Sequence, residues 1–419
     1  MKPFYLLLRG IIAMCVLAVP SLSGGNAVLD WNETVVNATR LSRNPPPIAA
    51  LHFATFHLAI FDTVNSFDRK YQGWLVNDPA PAGANREAAI AGAAHAVLTE
   101  LWGRAANPYN FKTAYDRALT AVPDGPTKTD GLAWGRHVAG LILEERAKHP
   151  LPAPDRSYSS QEPGKWRETP PGFRPPVTPR LNEVKPFALE SSSQFRAPPP
   201  PPLDSKEYAE ELAFVNRVGA RDNAERTEYQ TLSTPFWSDD LGSATPPGHW
   251  NVIARDLAIR RNLSLEECAR LFALLNIAGA DAGITCWETK YYYSVWRPET
   301  ALRETDPATN PHVKVNPDFI PNMSSPAFPS YTSRHSTYTA AMAHMIELFL
   351  GSDEIEFTVT SDGLPGAVRN FQRLSDAARE VGMSRIWGGI HTMSDNLDGQ
   401  KAGIKAADWV WAHALQPLK

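Results

Sequence analysis

The sequence predicts an all-α protein of two four-helix-bundle-like halves joined by a proline-rich, ordered crossover. Three observations predict it. Apolar residues recur at helical spacing along most of the 419 residues, while strand-like alternation is almost absent. Helix punctuation is explicit, most clearly in the capping box Ser264 to Glu267 ahead of a long apolar run. Much of the total of 37 prolines falls between residues 149 and 204, where fixed φ and missing donors forbid helix.

Residues 1–27 place Lys2 and Arg9 ahead of a short apolar run, Ile11 to Val19, and end in small residues. This is the pattern of a secretory signal peptide. The run is short for a membrane span, and Met14 is too bulky a neighbour for a lipidated Cys15. The expectation is an exported protein, secreted or periplasmic, that starts near Val28 and has no stable membrane insertion. Removing Lys2 and Arg9 from the 41 basic residues leaves 39 against 45 acidic ones, a net charge of −6. Such a balance offers no basic face to nucleic acid.

The first half, residues 28–148, opens with two helical segments from Asp30 to Thr63, split by Pro45, Pro46 and Pro47. From Ile48 the second is apolar almost all round, as a buried bundle helix is. Periodicity predicts further helices at Glu87–Leu101, Asn110–Leu119 and Thr129–Lys148. In the crossover, residues 149–204, Trp166, Phe173, Phe187 and Phe195 supply apolar surface that an ordered segment can bury. The second half, residues 205–419, begins with helices at Ser205–Val218 and Asn223–Leu232. After Ser264 a long helix is expected to reach Trp296, stopped by Pro298. Helices at Ser336–Leu350, Val368–Val381 and Asn396–His413 complete the half. Cys268 and Cys286 share the long helix, about 27 Å apart along its axis, so both are expected as buried free thiols.

Three segments of the second half concentrate polar chemistry. In KYYYSVWRP, Lys290 and Arg297 are seven residues apart, two helical turns, which predicts both cations on one face roughly 10 Å apart. In FPSYTSRHSTYTAAM, Ser333, Arg334 and His335 precede a helix whose N-terminal N–H groups suit a tetrahedral oxyanion, with Ser336 or Thr337 as rival N-caps. In SRIWGGIHTMSDN, Arg385 offers a bidentate guanidinium, and His391 an imidazole that Asp395 is placed to orient. Together they form a site for a compact oxyanion of two or three negative charges, with one histidine left for acid–base work. Glycine-rich phosphate loops, HExxH and GxSxG are all absent.

The order Kx6RP, then serine-x-histidine at a helix start, then SRx5H resembles the superfamily that joins vanadium-dependent haloperoxidases with type 2 phosphatidic acid phosphatases (PAP2) and class A acid phosphatases. The segments LHFATFHLAIFDTVNSF, QFRAPPPPP and DAGITCWETKYYYSVWRPETALR extend the likeness to the bacterial haloperoxidase-like branch over nearly the whole mature chain. By that resemblance His391 would bond the vanadium or phosphorus atom, and His335 would be the acid–base group. Lys290, Arg297, Ser333 and Arg385 would hold the equatorial oxygens. Asp240, with Asp239 as alternative, would pair with Arg385, and Trp287 and Phe328 would stand beside the vanadate as a halide pocket. The chain departs from the usual PSGH by writing Thr332-Ser333-Arg334-His335. Arg334 keeps the backbone N–H that glycine would supply, and its side chain either points away or adds a cation beside the anion.

Vanadate and phosphate share one shape, so the resemblance implies two activities. With vanadate as cofactor the chain would be a haloperoxidase taking hydrogen peroxide, a halide and an organic acceptor. Without it, phosphate would be the substrate moiety of an acid phosphatase working through a phosphohistidine. An inactive oxyanion-binding protein is the third reading. Soluble export disfavours a membrane lipid phosphatase, and the crossover, Trp287 and Phe328 favour the haloperoxidase. Related enzymes often form dimers or larger assemblies, so a homo-oligomer is an expected partner state.

Overall fold

The first helix begins where Asn26 turns its side chain to accept the Val28 N–H, and α1 runs Ala27–Ser42. The computed structural model describes residues 25–103, 109–154, 158–222 and 225–418. Of the expected signal peptide, residues 1–24, with Cys15, lie outside the described residues, as do 223 and 224 at the start of the helix expected from Asn223. After α1, prolines at N1 and N2 open α2, Pro46–Asp68. The first half then adds α3, Arg86–Trp102, α4, Phe111–Leu119, and α5, Pro126–Ala147.

The second half carries α6, Lys206–Val218, α7, Glu228–Phe236, α8, Thr245–Arg260, and α9, Leu265–Tyr293. There follow α10, Pro298–Glu304, α11, Arg334–Leu350, a hairpin of β1, Phe357–Thr360, and β2, Val368–Phe371, then α12, Leu374–Trp387, and α13, Met393–His413. Helix α9 is the axis of the molecule. Its Ser264 capping box is formed, and it is buried from Cys268 to Lys290. One continuous apolar core includes Val35 of α1, Phe53 of α2, Leu275 of α9, Met342 of α11 and Val410 of α13. The two halves therefore meet through a shared core. Both α2 and α9 are long and apolar enough to cross a membrane by composition, yet most of each is buried inside the protein. Cys268 and Cys286 are buried free thiols.

The crossover is ordered by specific donors meeting buried acceptors. Asp281 of α9 accepts the N–H groups of Phe187 (2.7 Å), Ala188 (2.7 Å) and Leu189 (3.0 Å). Arg196 pairs with Glu288, and Trp166 is fully buried. Phe173 stays exposed.

Three expectations are corrected, and one helix, α8, is added. The helix expected to start at Val368 begins at Leu374, because Val368–Phe371 pairs antiparallel with Phe357–Thr360. The two strands are four residues each, too short for alternation to stand out. Helix α8 was hidden by Pro246 and Pro247, which open a helix as readily as they end one. Ser333 caps α11, so neither Ser336 nor Thr337 is its N-cap. Finally, α9 stops at Tyr293 with Ser294 left-handed as its cap, and the chain pairs with the crossover through Trp166 N–H to Ser294 O and Trp296 N–H to Gly164 O. Lys290 and Arg297 thus do not share a helix face.

Candidate active site

Four chain segments converge on one buried point. Lys290, in the last turn of α9, is fully buried and donates to the carbonyls of Pro329 (2.7 Å) and Ser330 (2.8 Å). Burial above all, with Arg297 and Arg334 nearby, presses its ammonium down to about 7. Arg297 is the N-cap of α10 and reaches the same place from another direction. Its Nε donates to Phe328 O and its Nη1 to Ile390 O, both at 2.9 Å, which leaves Nη2 buried without a protein partner. Burial lowers it to about 9.

The third segment is the start of α11. Ser333 Oγ accepts the Ser336 N–H (3.4 Å) as N-cap and also the Ser336 hydroxyl (2.9 Å), and the N–H groups of the first turn have no partner within the helix. His335 is buried, with Nε2 3.1 Å from Ser238 O. A carbonyl only accepts, so Nε2 holds the proton and Nδ1 is the basic nitrogen. Burial, then Arg385 and Arg334, push this imidazole well below its ordinary pKa and keep it neutral.

The fourth segment is α12 to α13. Arg385 donates through Nη1 to Trp237 O at 2.9 Å, and its Nε is buried and unpartnered. Burial lowers it to about 10. Gly389, at φ 76°, reverses the chain where any Cβ would meet Gly219 O at 2.3 Å, and so delivers His391. His391 Nδ1 lies 2.7 Å from Asp395 Oδ2, which fixes the proton on Nδ1 and leaves the lone pair on Nε2, 3.3 Å from Arg297 Nη1. Burial, then Arg297 and Lys290, hold His391 well below the usual imidazole range. Asp395 is further held by the Ser330 hydroxyl and the Thr392 N–H (3.2 Å), while Thr392 caps α13 in a capping box with it.

The aromatic pair closes one side. Trp287 and Phe328 lie with ring centroids 5.1 Å apart. The Phe328 ring faces Lys290 Nζ at 5.0 Å, Arg297 Cζ at 4.9 Å and Arg334 Cζ at 5.5 Å. Of the two alternatives for Arg334, its side chain takes the inward one: it is buried, and its Nε has no partner.

Asp240 is the member that does not fit. Among the described residues no ion pair joins it to Arg385, although its field is the leading electrostatic support for that guanidinium. Asp239, at φ 46°, turns the chain into a 3.0 Å pair with His249, and Asp240 is left exposed on the cavity rim. The expected direct Asp240–Arg385 pair is therefore corrected to a longer-range one, and Asp239 does not replace it. Ser330, Thr392, Trp237 and Ser238 act here without having been singled out in the sequence. Only Thr392 had a readable signal, the T-x-x-D spacing of a cap.

A vanadate-sized oxyanion fits this donor set. Arg297 Nη2 and Arg385 Nε are buried donors without acceptors, a rare condition in a folded protein. Among the described residues the four buried cations Lys290, Arg297, Arg334 and Arg385 outnumber the buried carboxylates whose fields reach them, Asp395, Glu299 and Asp239. An oxyanion brings acceptors and negative charge together. Among the described residues no group of three or more His, Cys, Asp or Glu is placed to hold a bare metal cation.

Comparison with known proteins agrees with this geometry. Residues 270–419 match a family described as the VCPO second helical-bundle domain. The chain is 26% identical over 408 residues to a vanadium chloroperoxidase of Curvularia inaequalis, a match that covers 77% of this chain and 65% of that protein. It therefore spans slightly less than two thirds of that relative's length. A bacterial vanadium-dependent iodoperoxidase, described as the first of its kind, superposes with TM-score 0.78 at 25% identity over 94% of this chain and 97% of its own. A bacterial vanadium-dependent chloroperoxidase in its holo form superposes with TM-score 0.69 at 18% identity over 92% and 96%, which speaks for the fold.

Proposed function

We propose that this chain is an exported, vanadate-dependent haloperoxidase, a reading supported by the match of residues 270–419 to the VCPO second helical-bundle domain and by the likeness to the vanadium chloroperoxidase and iodoperoxidase. The observation that carries the proposal is the cage itself: buried Arg297 Nη2 and Arg385 Nε without acceptors, on two guanidiniums whose fields act on a buried His391 that carries its lone pair on Nε2. Bound vanadate would supply a Lewis-acidic centre at which hydrogen peroxide oxidises a halide by two electrons. Every other function falls to the chain. His391 Nε2 would be the ligand, with Asp395 holding its tautomer. Lys290, Arg297, Arg385 and the Ser333 end of α11 would bear the oxygens and their charge. His335 Nδ1, neutral and basic, would take a proton from peroxide. Trp287 and Phe328 would line the halide's approach. The balance is H2O2 + X⁻ + H⁺ → HOX + H2O, followed by halogenation of an organic acceptor. Export rests on the composition of residues 1–27.

The test supplies purified protein with orthovanadate, peroxide, and bromide or iodide with a phenolic acceptor, and separately with a phosphomonoester and no vanadate. Halogenation that requires vanadate is expected. Hydrolysis that vanadate inhibits, without halogenation, would replace the proposal with the phosphatase reading.

A further inference from the structure

A cavity of about 1000 Å³ opens from the surface onto the cage, a volume suited to a sizeable organic molecule. Part of its wall is apolar, with Pro46, Val177, Leu241, Met323 and Phe328 among the lining residues. Its charge is one-sided: Arg43, Arg174, Arg334 and Arg385 line it against the single carboxylate of Asp240. Among the described residues none of these four arginines makes an ion pair within 4 Å. Arg334 stands out within the set. It is 93% buried, since 7% of its surface is exposed, and its Nε is buried without a hydrogen-bond acceptor. Its Cζ lies over the Phe328 ring, 5.5 Å from the centroid.

The cage does not account for this cation. Lys290, Arg297 and Arg385 already match an oxyanion of two or three negative charges, and Arg334 can serve that anion through its backbone N–H at the start of α11. Its guanidinium is surplus and buried, and the residue lines a partly apolar cavity. A buried, unpaired cation is costly to maintain unless a ligand completes it.

We propose that Arg334 makes this cavity a binding site for an organic anion, an arene bearing a carboxylate, whose ring is then held beside the cage as the acceptor to be halogenated. The substrate role rests on the haloperoxidase reading; the anion site does not. The carboxylate takes the Arg334 fork bidentately, and the ring lies on the proline, methionine and Phe328 wall. Halogenation there is HOX + Ar–H → Ar–X + H2O: the C–X bond forms, the C–H bond breaks, and its proton leaves with the hydroxide of HOX as water.

Vanadate-loaded protein, with the cage filled, is titrated calorimetrically with 4-hydroxyphenylacetate and with 4-methylphenol. The carboxylate is expected to bind more tightly, and Arg334→Met to remove that advantage, a loss of about ten- to a hundred-fold for the carboxylate alone. Arg174→Ala, at the exposed mouth, gives a variant whose fold is not at risk. It should weaken the carboxylate several-fold and leave the phenol unchanged. The ratio of kcat/KM for the two acceptors, which does not depend on how much enzyme is loaded, should fall in parallel. Equal binding of both ligands to wild type and variants overturns the proposal. So does an acceptor ratio that matches free hypohalite and ignores Arg334, since the oxidant would then act in solution. Failure to halogenate either acceptor, with Arg334-dependent binding intact, removes the haloperoxidase reading and supports the anion site.

Discussion

Asp395 decides which nitrogen of His391 faces the cage, because a carboxylate 2.7 Å from Nδ1 takes that proton and frees Nε2. Asp395→Asn keeps the shape but weakens both the acceptor and its charge. The vanadate dissociation constant should rise about ten- to a hundred-fold, and an unchanged constant would show that Asp395 has no orienting role. Most of the cage was legible at this scale, since Lys290, Arg297, Ser333, His335, Arg385 and His391 stand in recognisable spacings. What was not legible were the groups that hold them. Arg297 is fixed by the carbonyls of Phe328 and Ile390, and Arg385 by that of Trp237. Every residue has a carbonyl, so none of these announces itself in the sequence.

At the scale of elements, the cage depends on how closely α13 approaches α11. Gly399 and Gly403 lie against the first turns of α11, where a Cβ at Gly403 would stand 2.3 Å from Thr337 O. That approach brings the start of α13, with Asp395, to the start of α11, and Ser333 N–H donates to Asp395 O at 2.8 Å. Gly403→Val should push the helices apart, cost about 1–3 kcal/mol of stability, and weaken vanadate binding. Thermal unfolding and a vanadate titration read the two effects, and an unshifted melting temperature would refute the packing argument. Long elements with clear caps, such as α9, were readable in the sequence. The hairpin and α8 were not, because strands of four residues carry too little alternation and Pro246-Pro247 signals a stop and a start alike. The seven-residue spacing of Lys290 and Arg297 was informative for a reason other than helical geometry: the chain leaves α9 at Ser294 and brings Arg297 back as the cap of α10.

Over the whole molecule, a buried polar group beside the shared core contributes to the loss of stability in acid. His57 of α2 is fully buried, packs against Phe53, Phe56 and Phe272, and neither ring nitrogen has a partner. Burial lowers its pKa from 6.5 to about 3. As pH falls below 6.5 the unfolded chain takes up a proton that the native protein refuses, so this group withdraws stability from there down to about pH 3. The loss is about 1.4 kcal/mol per pH unit, or about 2 kcal/mol between pH 6.5 and 5. His57→Phe should flatten that part of the profile in denaturant titrations, and a profile as steep as wild type would count against it. At this scale the sequence by itself determined the helical class, the ordered crossover and the residue types of an oxyanion cage, because periodicity, prolines and motif spacing are local properties of the chain. Only the tertiary structure decided that both halves close on α9, that Asp240 stays on the rim, and that Arg334 turns inward with its Nε unpartnered. Those outcomes depend on which distant carbonyls and carboxylates arrive beside each side chain, and no spacing along the sequence encodes that.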